Sequence, residues 1–526
     1  MAHSGTASAP QPKEALVFQF GAVAALYDIA RRLRIVEFID AHVPKAGSGP
    51  SVGTYMLVAL INRCVAPCSK ASIAEWFKDT ILARLVDIKP KQLTSQRYWD
   101  NMDRISTEAI QEIEHDLVAH AVEEFDLDVR KLFFDATNFF TFIDTFNDRS
   151  TLAQRGKSKE GRTALRIVGL ALLVTGDFHV PLLHRTYPGN RHDAPTFASL
   201  TADLEARYRQ VVRGAEEITL VFDKGNNSQD NLDAVDASSY HFVGSLVPTQ
   251  HLDLLAIPRE QFHSLADEGY PKVRAHRTTK KVFGHKRTVV VTFNENLFVA
   301  QSKTLIREIA KRQRKLREEQ ERLRLRRQGK LRGGKPPTIQ SVRKKVQAWL
   351  KARHMKELFE IDVTEKDGLP ELRYTFNEEA WEELQRTLLG KNILFTDQDD
   401  WSDGDIVSGY RGQHHVETGF RTMKDTDHIS LRPQHCWTDQ KVEVHVFTCV
   451  LALMLCCLLR RELHRLGIER SIPKMLNQLG KIREVAVVYP PPKGKKTPVL
   501  KMTCSAMPPE RRALYDALEL QRYRSA

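Results

Sequence analysis

From Ala15 to about Glu124 apolar residues recur every three to four positions, as in FGAVAALYDIARRLRIVEFID, TYMLVALINRCV and EAIQEIEHDLVAHAVEEF. That spacing lines them along one face of a helix, so an all-helical region is predicted over 15–125, with breaks at Pro44–Ser51 and Lys89–Thr94. Residues 1–14 are polar, small and Pro-containing, and are expected to form a flexible tail.

The texture then changes. KLFFDATNFFTF, ALRIVGLALLV and HVPLLHRTY are short spans dense in apolar and aromatic residues, which predicts three buried strands in an antiparallel meander, with Gly176 and Asp177 at the second turn. His192 to Tyr208 reads as a helix with Phe197, Leu200 and Leu204 on one side. EITLVFD is a fourth strand ending at Asp223, GNNSQDN leads into a short helix, and YHFVGSLV is a fifth strand. The order β-β-β-α-β-α-β is the RNase H topology, so the fold class expected is α/β: a mixed-sheet RNase H-like core preceded by the helical region.

Between 248 and 404 the pattern lapses, and a large insertion is expected there. KVFGHKRTVVVTFNENLFVAQ reads as paired strands with a turn at Asn294 to Asn296. Ile309, Leu316 and Leu323 fall seven apart, Gly333, Gly334, Pro336 and Pro337 interrupt, and Val342, Val346 and Leu350 begin a second helix; together they predict a helical hairpin. The core should resume over 405–470, where Val446–Leu459 is too short an apolar run for a bilayer and reads as a buried helix. Residues 471–526, with the basic and Pro-rich PPPKGKK, are expected to be a C-terminal tail region. The domains expected are therefore 1–14, 15–125, 126–247, 248–404, 405–470 and 471–526.

At 526 residues, several domains are expected, and the net charge of +13 makes a polyanion the natural partner. Much of that charge is concentrated: Ser302–Arg332 holds thirteen Lys or Arg against four Glu, by count a net of +9. Arg312, Arg314, Lys315 and Arg317 are the candidates there for phosphate contact, weighed against a merely solvated helix face. In the helical region Arg97, Tyr98 and Trp99 mark a turn where DNA contact is considered, against simple packing of a bundle. The seven cysteines lie mostly in apolar runs and read as buried thiols of a cytoplasmic protein, and Cys64 with Cys68 lacks the partners that a zinc site needs. No secretory signal or membrane span is read from the chain.

Three carboxylates carry the candidate chemistry. Asp135 sits among apolar residues in LFFDATN and Asp223 ends ITLVFDKGNN; a carboxylate within a buried strand is costly unless paired or bound to a cation. In an RNase H-like sheet the first and fourth strands are neighbours, so the two can meet at one site. A third should come from a helix beside the sheet. In GYRGQHHVETGFRTMKDT, Glu417, Phe420, Arg421 and Lys424 share a helix face, so Glu417 can point into the site while Arg421 and Lys424 face phosphates.

These residues resemble insertion-sequence transposases of the DDE class, in the branch marked by a Tyr-Arg-Glu-Lys signature. The resemblance is carried by LFFDATNFF, HRTYPGNRHDAPTF, LVFDKGNNSQDN and YRGQHHVETGFRTMK followed by RPQHCWTDQKVEVHVF. It implies an RNase H-like core, two Mg²⁺ ions (or Mn²⁺ in their place) shared by Asp135, Asp223 and Glu417, cleavage at element ends and strand transfer. Tyr410 matches the signature Tyr and Lys424 the Lys. One position departs: the expected Arg is Gln413, with Arg411 or Arg421 left to substitute. Lys224, beside the second Asp, would hold the scissile strand. The partners implied are double-stranded DNA, as terminal repeats and target, and a second copy of the chain; the place implied is the bacterial cytoplasm, at the nucleoid. Two other readings stay open: an RNase H-like nuclease that cuts without joining, and a non-catalytic DNA-binding protein.

Overall fold

The computed structural model describes residues 13–45, 47, 49–156, 158–161, 165–191, 206, 218–222, 224–238, 240–331, 333–412, 414–431, 436–491 and 496–525. Two compact units share the chain: 1–242 with 411–526, and 243–410.

The first unit opens with a strand, β1 (Glu14–Gln19), where the sequence pattern predicts helix. Its partner comes from the other end of the chain: β1 pairs antiparallel with β14 (Arg483–Tyr489), which pairs with β15 (Val499–Cys504). Helices Gly21–Arg32, Ile35–His42, Val52–Val65, Ser95–Met102 and Thr107–Phe125 follow as expected. Polar caps begin several of them: Ser51 accepts from the Thr54 amide, Thr94 from Arg97 and Ser106 from Ala109. The turn expected at Arg97–Trp99 is instead within Ser95–Met102. Tyr98 is buried edge-on against Tyr55, and Trp99 lies under the ammonium of Lys70 at 4.3 Å. Packing needs thus occupy two of those three residues.

The sheet of this unit is the expected meander. β2 (Lys131–Phe140) pairs antiparallel with β4 (Arg166–Thr175), which pairs with β5 (Pro181–Pro188) and, at its start, with the two residues of β3 (Gln154–Arg155). On its other side β2 runs parallel to β6 (Thr219–Val221). The helix Gln229–Asp236 follows, then β7 (His241–Leu246), whose first amide donates to the Ile218 carbonyl at 2.8 Å. Three antiparallel strands with the fourth laid parallel beside the first is the RNase H arrangement. The helix expected at His192–Tyr208 lies, except for residue 206, outside the described residues.

Helix Asp439–Arg465 is the central support. By length and composition it is apolar enough to cross a membrane, yet 94% of its most apolar window is buried within the fold. It packs against Gly21–Arg32, Val52–Val65, Thr107–Phe125 and β5, so an all-round apolar surface is matched by all-round protein neighbours. The C-terminal segment is folded rather than a loose tail: Ile472–Gly480 buries Ile472, Met475, Leu476 and Leu479, and Pro509–Ala517 follows β15. Its apolar spacing seals the end of the helical layer.

In the second unit β7, β13 (Lys391–Thr396), β10 (His285–Asn294), β9 (Tyr270–Val282) and β8 (His263–Leu265) follow one another, each pair antiparallel. The paired strands are there, but they turn at Phe283–Gly284, not at Asn294–Asn296. Asn294 caps the next helix, its Oδ1 accepting from the Leu297 amide at 3.2 Å, and that helix runs over Glu295–Arg327. It packs with Ile339–Trp349 and the hairpin β11 (Phe359–Lys366) and β12 (Leu369–Phe376) around Ile309, Leu316, Leu323, Val342 and Val346.

Candidate active site

Asp135 is the fifth residue of β2, and alternation along a strand gives it the same face as Phe133 and Thr137. Helix His414–Lys424 lies along β2, held near both ends. Just before its start Gly412 comes so close to Phe133 that a Cβ there would stand 2.2 Å from the ring Cζ. At its last residue the Lys424 ammonium donates to Thr137 Oγ1 at 2.8 Å. Glu417 lies between these two contacts on the helix, as Asp135 lies between Phe133 and Thr137 on the strand. The two carboxylates are therefore brought to one level of one helix–strand interface.

The helix is anchored by Val416, Phe420 and Met423, all buried, at the intervals of a single face. Glu417 and Arg421 are exposed on the adjacent face, while Asp135 is half-buried. Asp135 Oδ1 accepts from the Ala136 amide at 2.7 Å, the Lys159 ammonium donates to the Ala136 carbonyl at 2.6 Å, and the Tyr187 hydroxyl donates to the Thr137 carbonyl at 3.3 Å. Glu160 stands 4.0 Å from the Lys424 ammonium. Thr137, Lys159, Glu160 and Tyr187 are neighbours that sequence reasoning missed. Their only signal is Thr137 with Asn138, polar residues inside an aromatic run.

Carboxylate oxygens are hard donors of the kind Mg²⁺ and Mn²⁺ take, so the side chains of Asp135 and Glu417 are of the chemical type that suits a divalent ion. Asp223 and Gln413 lie outside the described residues.

Residues 132–455 match the family described as "Transposase DDE domain". The chain belongs to the DDE transposase family. No curated protein matches it. Among solved structures it is similar to a piggyBac transposase synaptic complex with hairpin DNA, at 8% identity and a TM-score of 0.38 over 89% of this chain and 82% of that one. It is also similar to a Mos1 transposase paired-end complex with left transposon end, at 10% identity and a TM-score of 0.16 over 38% and 60%.

In this transposase the basic residues singled out from sequence have different surroundings. Lys224, Arg411 and Arg421 are exposed. The Tyr410 hydroxyl shares a 2.8 Å hydrogen bond with Ser245 Oγ. Arg314 is exposed, 3.9 Å from Glu318; Lys315 rides 5.7 Å from the Trp349 ring, and Arg317 Nε donates to the Tyr374 hydroxyl at 3.3 Å. Arg312 is a correction. It falls between Ile309 and Leu316 in the apolar seam, is buried, donates from Nε to the Trp349 carbonyl at 2.6 Å and pairs with Glu308 at 2.8 Å. Its guanidinium is a structural clamp between the two helices rather than a phosphate contact.

Proposed function

We propose that this DNA transposase cuts double-stranded DNA at the ends of its insertion-sequence element and joins them to target DNA, using Asp135, Asp223 and Glu417 as one metal-binding triad. The observation that carries the reading is the matched level of Asp135 and Glu417, bracketed by the Gly412–Phe133 and Lys424–Thr137 contacts. Asp223 enters the triad on the sequence resemblance alone, while the strand before it, Thr219–Val221, runs parallel to β2 with Val221 opposite Phe133.

Divalent ions held by Asp135, Asp223 and Glu417 would supply activation of an attacking hydroxyl and charge stabilisation at the leaving oxygen for displacement at phosphorus. The chain's own part is positioning. The three carboxylates would hold the ions, the Lys424 ammonium is fixed on Thr137, two residues along β2 from Asp135, and Arg421, Arg411 and Lys224 would offer positive charge to the scissile strand. Hydrolysis and joining are both phosphoryl transfers, so one site serves both in turn. Two ends must be held together, which favours a dimer, and the reaction is placed with the chromosome in the bacterial cytoplasm.

The test is to incubate the protein with its own element's end and target DNA, with Mg²⁺, with Mn²⁺ and in chelator. Nicks and joined products should appear only with metal. Asp135→Asn, Asp223→Asn and Glu417→Gln should each lower both by orders of magnitude while end binding survives, because the ions act as a unit. Near-normal cleavage by Glu417→Gln would overturn the triad. Nicks that never join would favour the nuclease reading.

A further inference from the structure

Beyond Phe140 the strand that carries Asp135 runs into residues 141–153, a segment with no regular structure that is nevertheless firmly tied down. Asp439 accepts from Ser150 Oγ at 2.7 Å, from Thr151 Oγ1 at 2.5 Å and from the Thr151 and Leu152 amides, both at 3.0 Å. Asn147 Nδ2 donates to the Trp437 carbonyl at 3.2 Å, and Asp144 accepts from the Phe146 amide at 2.7 Å. Phe146 in this loop is still 93% exposed, and so, at 65%, is Trp437, which lies just before the helix Asp439–Arg465 and to whose carbonyl the loop is tied. Large aromatic rings ordinarily stabilise a fold by burial, and here a rigid backbone holds two of them in water.

Two arginines lie under the same turn. Arg155 and Arg166 are direct cross-strand partners in the β3–β4 pair, an arrangement that like charges disfavour. Both reach for one residue beside Phe146: Arg155 Nη2 donates to Thr145 Oγ1 at 3.3 Å and Arg166 Nη2 to the Thr145 carbonyl at 2.5 Å. Arg166 Nη1 is buried and makes no hydrogen bond among the described residues.

We propose that Phe146 and Trp437, with Arg155 and Arg166, form a platform for an unpaired DNA strand, bases stacking on the rings and a phosphate drawn to the paired guanidiniums. Every base has a π-face, so stacking suits a strand of any sequence, and a phosphate relieves the repulsion between the two arginines. The inference rests on the DNA-cleaving reading above. Five residues of extended strand lie between Asp135 and Thr141, six steps or roughly 20 Å, so the platform takes strand peeled from the duplex beyond the reacting phosphate rather than the reacting nucleotide.

The test is fluorescence anisotropy on the full chain in chelator, with a short oligothymidylate and, separately, a fully paired duplex. Phe146→Ala combined with Trp437→Ala should weaken oligothymidylate binding on the order of tenfold and leave duplex binding within about twofold. Leu at both positions should bind as poorly as Ala, because it keeps apolar area without a π-face. Arg155→Gln with Arg166→Gln should flatten the salt dependence of oligothymidylate binding. Unchanged affinity in the Ala pair overturns the proposal, and so does full affinity in the Leu pair, which would mark an apolar protein partner. Thermal unfolding should be unaltered in both pairs, since the rings are exposed. Absence of nicking by the parent chain would sink the cleavage reading separately, because strand binding is measured without chemistry.

Discussion

At Gly412 the lack of a side chain is what lets the helix bearing Glu417 approach β2, since a Cβ would stand 2.2 Å from Phe133 Cζ. Gly412→Ala should push that helix off the strand, cost about 1–3 kcal/mol of stability and lower nicking by roughly tenfold or more, because about 1 Å of misplacement is enough to spoil a reacting geometry. Adding Phe133→Leu should recover part of the rate. Equal nicking by Gly412→Ala and parent would refute the close approach. Asp439 offers a pH test at the same scale. Burial alone would raise its carboxyl, but hydrogen bonds from Thr151, Leu152 and Ser150 outweigh that and hold it below its ordinary value. A lowered folded value means stabilisation that is full above the unfolded pKa of about 3.9 and lost as pH falls through the folded one. Corrected for intrinsic rates, the Thr151 and Leu152 amides should therefore exchange slowly above about pH 4 and faster below it. In Asp439→Asn they should exchange fast throughout, and slow exchange there would contradict the assignment.

Among the elements, the helix Glu295–Arg327 has two faces with different work. Ile309, Leu316 and Leu323 form a core with the helix Ile339–Trp349 and the β11–β12 hairpin. Leu316→Ala should cost about 2–5 kcal/mol and should speed amide exchange in the helices and the hairpin together, since they share that core. Exchange confined to the helix would show that the hairpin stands alone. Lys303, Arg307, Lys311 and Arg314 lie on the exposed face. Heptad spacing reveals such a seam, but the same spacing put Arg312 inside it, where the guanidinium serves packing.

For the whole molecule, the basic run and the candidate carboxylates lie on separate parts of the chain: the carboxylates belong to the unit 1–242 with 411–526, the basic helix to the unit 243–410. Changing Lys303, Arg307, Lys311 and Arg314 together to Gln should weaken DNA binding on all sequences alike. The slope of log affinity against log salt should fall by about 0.9 for each phosphate that these side chains no longer neutralise. Sequence preference, expected from the helical region 15–125, should persist. A salt slope equal to that of the parent would remove the basic helix from DNA binding.

What the chain's pattern determines by itself is local. Periods of two and of three to four residues mark β2, β4, β5 and the helices, because burial of one face is written into neighbouring positions. Asp135 and Glu417 stand out for a related reason, as charges in or beside apolar elements, where isolation is costly. Tertiary structure decides what depends on distant partners. Residues 14–19 are a strand only because Arg483–Tyr489 lies beside them, and residues 472–480 fold because an apolar layer waits for them. The turn at Phe283–Gly284 escaped because Asn294, a good turn residue, is an equally good helix cap. The level match of Asp135 with Glu417 is of this kind too: it comes from how a glycine meets a phenylalanine and a lysine meets a threonine, across nearly 300 positions of chain.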